Sequence, residues 1–184
     1  MIRDALLKAA TPPPQTGPNM PATPDDLFTT LAALGIKTST IAHEAMGTVE
    51  DSRALRGKLG GAHCKNLFVK DKKSRLFLLA AEESAVIDLK QVHTLIGASG
   101  RVSFGSADLL LEVWGVTPGS VTPFGAINDT AGRVTVVLEQ AMMARPIVNF
   151  HPLTNTRTTS IAAEDLVKFL KSTGHEPLIR PFAG

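Results

Sequence analysis

The amino-acid sequence predicts a single α+β domain, with a mixed, mostly antiparallel, barrel-like sheet and helices packed around it. Three observations carry this expectation. Two apolar runs, Asn66 to Lys70 and Leu76 to Ala81, flank the charged turn Asp71-Lys72-Lys73-Ser74 and read as a β-hairpin. Capped helical stretches are scattered among further strand-like runs, which is the α+β pattern. The 184 residues, 43% of them hydrophobic, suffice for one well-filled core and are short for two.

Residues 1–23 hold five of the 12 prolines, including Pro12-Pro13-Pro14, and too few apolar residues to pack; they are expected to form a flexible tail. The domain, 24–184, opens at Thr23-Pro24-Asp25-Asp26, where a capping Thr, a Pro at the first helical position and two early acids mark a helix start. Leu27, Phe28, Leu31 and Leu34 form its inward stripe, and Gly35 its end. After an extended piece at 36–42, Thr48 to Asp51 opens a second helix that runs to about Leu59 and stops at Gly60-Gly61. The hairpin follows. Asp88 is expected to cap a helix with Leu89, Val92, Leu95 and Ile96 inward, and Ser106 another with Leu109, Leu110, Val113 and Trp114 inward.

The segment 115–125 reads GVTPGSVTPFG, where two prolines and three glycines forbid regular structure and restrict the backbone. A turn at 129–132, a strand from Val134 to Leu138, a short helical stretch and a strand ending at Phe150 come next. The polar run HPLTNTRTTS then leads to Ser160, which is expected to cap a last helix with Leu166, Val167 and Leu170 inward and Gly174 as its stop.

Composition narrows the function classes. Nineteen Lys and Arg against 17 Asp and Glu leave +2, far from the basic excess of a protein that grips long duplex, so any nucleic-acid contact should be local. A single cysteine, Cys64, suits a reducing compartment; with no apolar leader and no run that spans a bilayer, the expectation is a cytoplasmic protein without a membrane partner. His43, His63, His93, His151 and His175 show no metal-ligand spacing, so neither metal nor other cofactor is expected.

Three segments carry a more specific signal: GAHCKNLFVKDKK at 61–73, GVTPGSVTPFGAINDT at 115–130 and NFHPLTNTRTTSI at 149–161. Together they resemble the YbaK/ProX superfamily of aminoacyl-tRNA deacylases, over a stretch from about Pro24 to the C-terminus. The NFHPLTNT wording is most similar to its free-standing bacterial members that deacylate alanyl-tRNA of the proline type. The Pro-rich tail lies outside the resemblance.

Lys65 and Asn66 are placed at the opening of a strand beside a glycine-bounded loop. On position alone Lys65 is a solvated lysine. The resemblance matches it to the superfamily's essential lysine, which implies that it holds a phosphate near the tRNA 3′ end as a point charge while Asn66 offers amide donor and acceptor to the terminal nucleotide or substrate carbonyl. Gly119, Ser120, Val121, Thr122 and Pro123 fit the family's GxxxP loop, whose backbone N–H groups can face a substrate carbonyl. Standing alone it is an ordinary turn, and PGSVT is not the GxSxG of a serine nucleophile. His151 is the candidate to position water or the ribose hydroxyl, supported by hydrogen bonds from Thr154 and Asn155; a lone histidine beside a strand is more often a packing residue.

Cys64 beside Lys65 could become a thiolate, but no base is visible and a small strand residue is the simpler account. The Lys70 to Lys73 and Arg75 cluster, with Arg53, Arg56 and Lys58, could reach the acceptor stem or form a solvated face. The expected activity is hydrolysis of a mischarged tRNA ester, with the acceptor end of alanyl-tRNA of the proline type as substrate and transient contact with prolyl-tRNA synthetase or elongation factor. Editing of cysteinyl or seryl groups is one alternative. A non-catalytic module that holds a charged tRNA end or a synthetase is the other.

Overall fold

A computed structural model of the chain describes residues 20–45 and 49–182. Most of the tail and the capping Thr48 lie outside the described residues. The first helix, α1 (Pro24–Ala33), starts as its sequence dictates: the Thr23 hydroxyl accepts the Asp26 N–H at 3.2 Å, and the Asp26 carboxylate accepts the Thr23 N–H at 2.8 Å. Such a cap stabilises a helix by about 1 kcal/mol. Leu27 and Leu31 are buried, with Phe28 and Leu34 packed beside them.

Strand β1 (Thr38–Ala42) and helix α2 (Val49–Arg56) precede the hairpin of β2 (Ala62–Lys70) and β3 (Leu76–Glu82). A short helix α3 (Val92–Ile96), strand β4 (Ser103–Phe104) and helix α4 (Ala107–Trp114) follow, then a 3-10 turn at Pro123–Ile127. Strand β5 (Val134–Glu139), helix α5 (Gln140–Met143), the β6 (Ile147–Phe150) and β7 (Arg157–Ala162) pair, helix α6 (Ala163–Ser172) and β8 (Leu178–Arg180) complete the chain.

The eight strands form one sheet in the order β1-β7-β6-β2-β3-β5-β8, with β4 beside β2. Antiparallel pairings join β1 to β7, β2 to β3 and β4, and β6 to β7, while β2–β6, β3–β5 and β5–β8 are parallel, so the sheet is mixed and mostly antiparallel. Helices cover both faces. Along β3, Leu76, Leu78 and Ala80 join one apolar cluster and Phe77, Leu79 and Ala81 the other, which is why this strand reads as a continuous apolar run.

Several local expectations need correction. Strand β2 begins at Ala62, so Lys65 and Asn66 lie within it rather than at its opening. The third helix starts later than expected: residues 89–91 form a turn in which the Asp88 carboxylate accepts the Lys90 N–H at 2.9 Å, and Gln91 occupies the cap. Ser160 caps nothing. It sits in β7, where its hydroxyl donates to Asn149 Oδ1 at 2.5 Å, and Ala162 precedes α6. The segment 115–125 is not wholly irregular, because Thr122 caps the 3-10 turn through the Phe124 N–H at 3.3 Å.

Two features of this sheet shape the site. On the edge of β2 away from β3, the β6 pairing ends at His63 and the β4 pairing starts at Val69, so among the described residues no strand lies beside residues 64–68. Gly61, at φ +89°, makes the approach of β6 feasible, since a Cβ there would sit 2.6 Å from the Ile147 carbonyl oxygen.

Candidate active site

The gap in the sheet is the floor of a cleft of about 400 Å³, a size suited to a nucleoside with a small substituent. Cys64 to Phe68 form the floor, Phe104 and Gly105 one rim, Leu110, Gly119 and Val121 a wall, and His151 the far end. Lys65, Asn66, Gly119, Val121 and His151, distant in sequence, thus meet in one cavity.

The remaining candidates do not line it. Ser120 and Thr122 are buried; the Ser120 N–H donates to the Thr117 carbonyl at 3.0 Å, and the Thr122 carbonyl accepts the Trp114 indole N–H at 2.7 Å. Pro123 is buried at the first position of the 3-10 turn. These three hold the loop in shape, and Pro118, Gly119 and Val121 present it to the cleft. Thr154 and Thr156 share a hydrogen bond within their own turn, at 3.1 Å between hydroxyls. Asn155 lies behind Gly119, where its amide nitrogen would be 3.6 Å from a Cβ on that residue.

Lys65 directs its ammonium to the Ala85 carbonyl, in the segment after β3. Three N–H donors on one ammonium leave capacity for an anion as well. The Asn66 side-chain oxygen is shielded from solvent and has no hydrogen-bond partner among the described residues, an arrangement that costs about 1–3 kcal/mol until a donor is supplied.

His151 follows β6 directly, ahead of a tight connection in which Leu153 adopts φ +64°, a conformation uncommon for a branched residue. Its Nδ1 lies 2.9 Å from the Arg157 carbonyl. A carbonyl can only accept, so Nδ1 carries the proton and Nε2 of the neutral ring keeps a free lone pair. Burial lowers the His151 pKa from its ordinary value, the backbone bond to Arg157 works against this, and His43 adds a smaller lowering of its own. At neutral pH the ring is a neutral acceptor.

Sequence reasoning passed over His43 as a neighbour of the site. Its ring centroid is 6.0 Å from that of His151, and its Nε2 is 2.8 Å from the Thr158 hydroxyl. The signal that could have found it is β1–β7 pairing, which required β7 to be read as a strand.

The Cys64 thiol is held in its protonated form. Burial pushes it up to about 12, with Glu82, Glu139 and Glu83 adding to the rise, and Sγ donates to the Ala62 carbonyl at 3.4 Å. Arg56 is engaged by Glu83 at 2.5 Å and Arg75 by Asp71 at 2.9 Å, so part of the basic cluster is already neutralised locally. Among the described residues no three His, Cys, Asp or Glu side chains converge as a metal site, and no helix is long and apolar enough to cross a membrane.

The aminoacyl-tRNA editing domain family matches residues 43–169. The chain is 37% identical over 156 residues to a prolyl-tRNA synthetase associated domain-containing protein of Bos taurus, covering 83% of this chain and 91% of that one. To the prolyl-tRNA editing protein ProX of Acetoanaerobium sticklandii it is 34% identical over 146 residues, covering 79% and 88%. A solved structure described as a candidate trans-editing enzyme for prolyl tRNA synthetase shares the fold, with TM-score 0.66 and 16% identity over 87% of this chain and 97% of that one. The chain belongs to the YbaK/ProX superfamily of aminoacyl-tRNA editing domains. It is an aminoacyl-tRNA deacylase, and its substrate class is tRNA esterified with an amino acid.

Proposed function

We propose that this protein is a trans-editing hydrolase that removes alanine from tRNA of the proline type. The observation that carries this reading is the cleft itself: its wall at Leu110 and Val121 is apolar, and its floor is a strand edge with Lys65, Asn66 and His151 around it. An apolar wall gives a small side chain a place and leaves a hydroxyl unpartnered. Alanine gains only about 1–3 kcal/mol from such contact, so discrimination against proline must come from exclusion of the larger ring, the second sieve of an editing pair.

In this reading the Lys65 ammonium holds a phosphate near the tRNA 3′ end. His151 Nε2 accepts a proton from the attacking water, whose oxygen bonds to the ester carbonyl carbon; the proton returns to the departing ribose oxygen as the acyl–oxygen bond breaks. Free alanine and intact tRNA result. No covalent protein intermediate is required, because an ester is already activated and positioning supplies the rest. The names of the relatives support a proline-tRNA substrate and a transient contact with prolyl-tRNA synthetase. Incubation of purified protein with alanyl-tRNA of the proline type tests the proposal: release of alanine that is lost in Lys65→Ala supports it, and a persistently stable ester refutes it.

A further inference from the structure

The hydrogen-bond phase of β2 has a consequence for how substrate can sit. The Glu83 N–H donates to the His63 carbonyl at 2.8 Å, and the Asp71 N–H to the Arg75 carbonyl at 3.0 Å. Odd-numbered residues of β2 therefore bond to β3, because an antiparallel ladder alternates the direction of its main-chain groups. Even-numbered residues face the opposite edge, as the Gly105 N–H confirms by donating to the Phe68 carbonyl at 2.9 Å. Asn66 lies at the centre of the stretch that has no neighbouring strand among the described residues, so its main-chain N–H and C=O both point into the cleft.

An aminoacyl ester presents the complementary pair: an α-ammonium that donates and a carbonyl that accepts, two bonds apart through Cα. We propose that the open edge of β2 binds the aminoacyl group as a single added strand residue. The Asn66 C=O accepts from the α-ammonium, and the Asn66 N–H donates to the ester carbonyl oxygen. This is strand addition reduced to one residue, with main-chain bonds supplying affinity and a side-chain pocket supplying selectivity. The same N–H stabilises negative charge as it develops on that oxygen during attack by water. Residues opposed in a hydrogen-bonded antiparallel pair place their side chains on one face. The substrate side chain then lies on the face of Asn66 and Phe68, against Val121 and Leu110, so the selective wall and the backbone anchor belong to one arrangement.

This inference rests on the deacylase reading above, and its test separates the two. Amide hydrogen exchange is followed by NMR in the full chain, free and with an acceptor-stem hairpin of proline tRNA that ends in 3′-deoxy-3′-alanylamido-adenosine, an amide that is not hydrolysed. In the free protein the Asn66 N–H should exchange at least about tenfold faster than those of Lys65 and Leu67, which lie in the β2–β3 ladder. Saturation with the hairpin should slow Asn66 by about tenfold or more and leave the other two nearly unchanged. Protection of Asn66 already in the free protein overturns the proposal. So does binding that shifts the Gly119 and Val121 resonances but leaves Asn66 exchange as it was, with the deacylase reading intact. A hairpin that shifts none of these resonances removes both readings.

Discussion

The Nδ1 of His151 and the carbonyl of Arg157 lie 2.9 Å apart, a contact that fixes the tautomer of the ring and leaves Nε2 as the acceptor. Burial favours the neutral form, with His43 adding to it, so His151 gains its proton only below the ordinary histidine range. The acid limb of the kcat–pH profile should accordingly fall below about pH 6.5. Loss of the His43 ring in His43→Gln should move that limb slightly upward, since burial is the larger cause. A limb above the ordinary histidine value, or one unmoved in His151→Gln, contradicts this role.

Lys65→Ala should lower kcat/KM at least about 100-fold, the magnitude expected for loss of an interaction made to the reacting end. The Ala85 carbonyl loses its donor, at a cost of about 1 kcal/mol, or a melting shift of about 2–4 °C. Thermal unfolding beside steady-state kinetics distinguishes the effects. A collapse of the fold with proportional loss of activity would make Lys65 structural.

Cys64→Ala should keep activity within a few-fold of the native protein, and iodoacetamide should modify Cys64 slowly at pH 8, because a thiol pushed up to about 12 remains protonated. Rapid alkylation with parallel inactivation would contradict this.

Gly125→Ala should destabilise the fold and disturb the cleft wall together. A Cβ at that position would lie 2.1 Å from the Trp114 ring, which is fully buried and hydrogen-bonded to the loop. Overpacking of this kind costs about 1–3 kcal/mol. Differential scanning calorimetry should show a lowered midpoint, and an unchanged one would mean the loop yields freely.

Asp71 is the acid-sensitive joint of the hairpin. Burial would raise its pKa, but hydrogen bonds from the Ser99, Arg75 and Lys73 N–H groups and the Arg75 guanidinium outweigh this and hold it at about 2. A folded pKa below the unfolded value of about 3.9 means that its stabilisation is present above pH 4 and is lost as pH falls toward 2. Asp71→Asn should flatten that part of the pH–stability curve, as measured by urea unfolding. A curve of unchanged slope would contradict the assignment.

Much of the scaffold was legible because its signals are local. The Thr23 cap, the Ser106 cap and the β2–β3 hairpin each depend on neighbours within a few residues. Strand β7 was not legible: Thr158 and Thr159 are buried through pairing with β1 and β6, and the Thr40–Thr159 hydroxyl bond at 2.7 Å crosses 119 positions, so the segment reads as a polar run. Without β7 as a strand, Ser160 reads as a cap and nothing in the sequence places His43 beside His151. The candidate site divides in the same way. Motif likeness selected Gly119 to Pro123 as a block, whereas only tertiary packing separates Gly119 and Val121, which face the cleft, from Ser120, Thr122 and Pro123, which brace the loop. The open edge beside Asn66 depends on where two other strands stop, which no local pattern encodes.

A steady-state comparison of alanyl, seryl, cysteinyl and prolyl esters on one proline tRNA tests the central claim most directly. Alanyl-tRNA should be hydrolysed fastest, seryl-tRNA more slowly because the apolar wall leaves its hydroxyl unpartnered, and prolyl-tRNA at least about 100-fold more slowly because its ring is excluded. Val121→Ala should widen acceptance toward larger groups before it abolishes alanyl hydrolysis. Equal rates for alanyl and prolyl esters, or a clear preference for cysteinyl, would contradict the alanine-editing assignment.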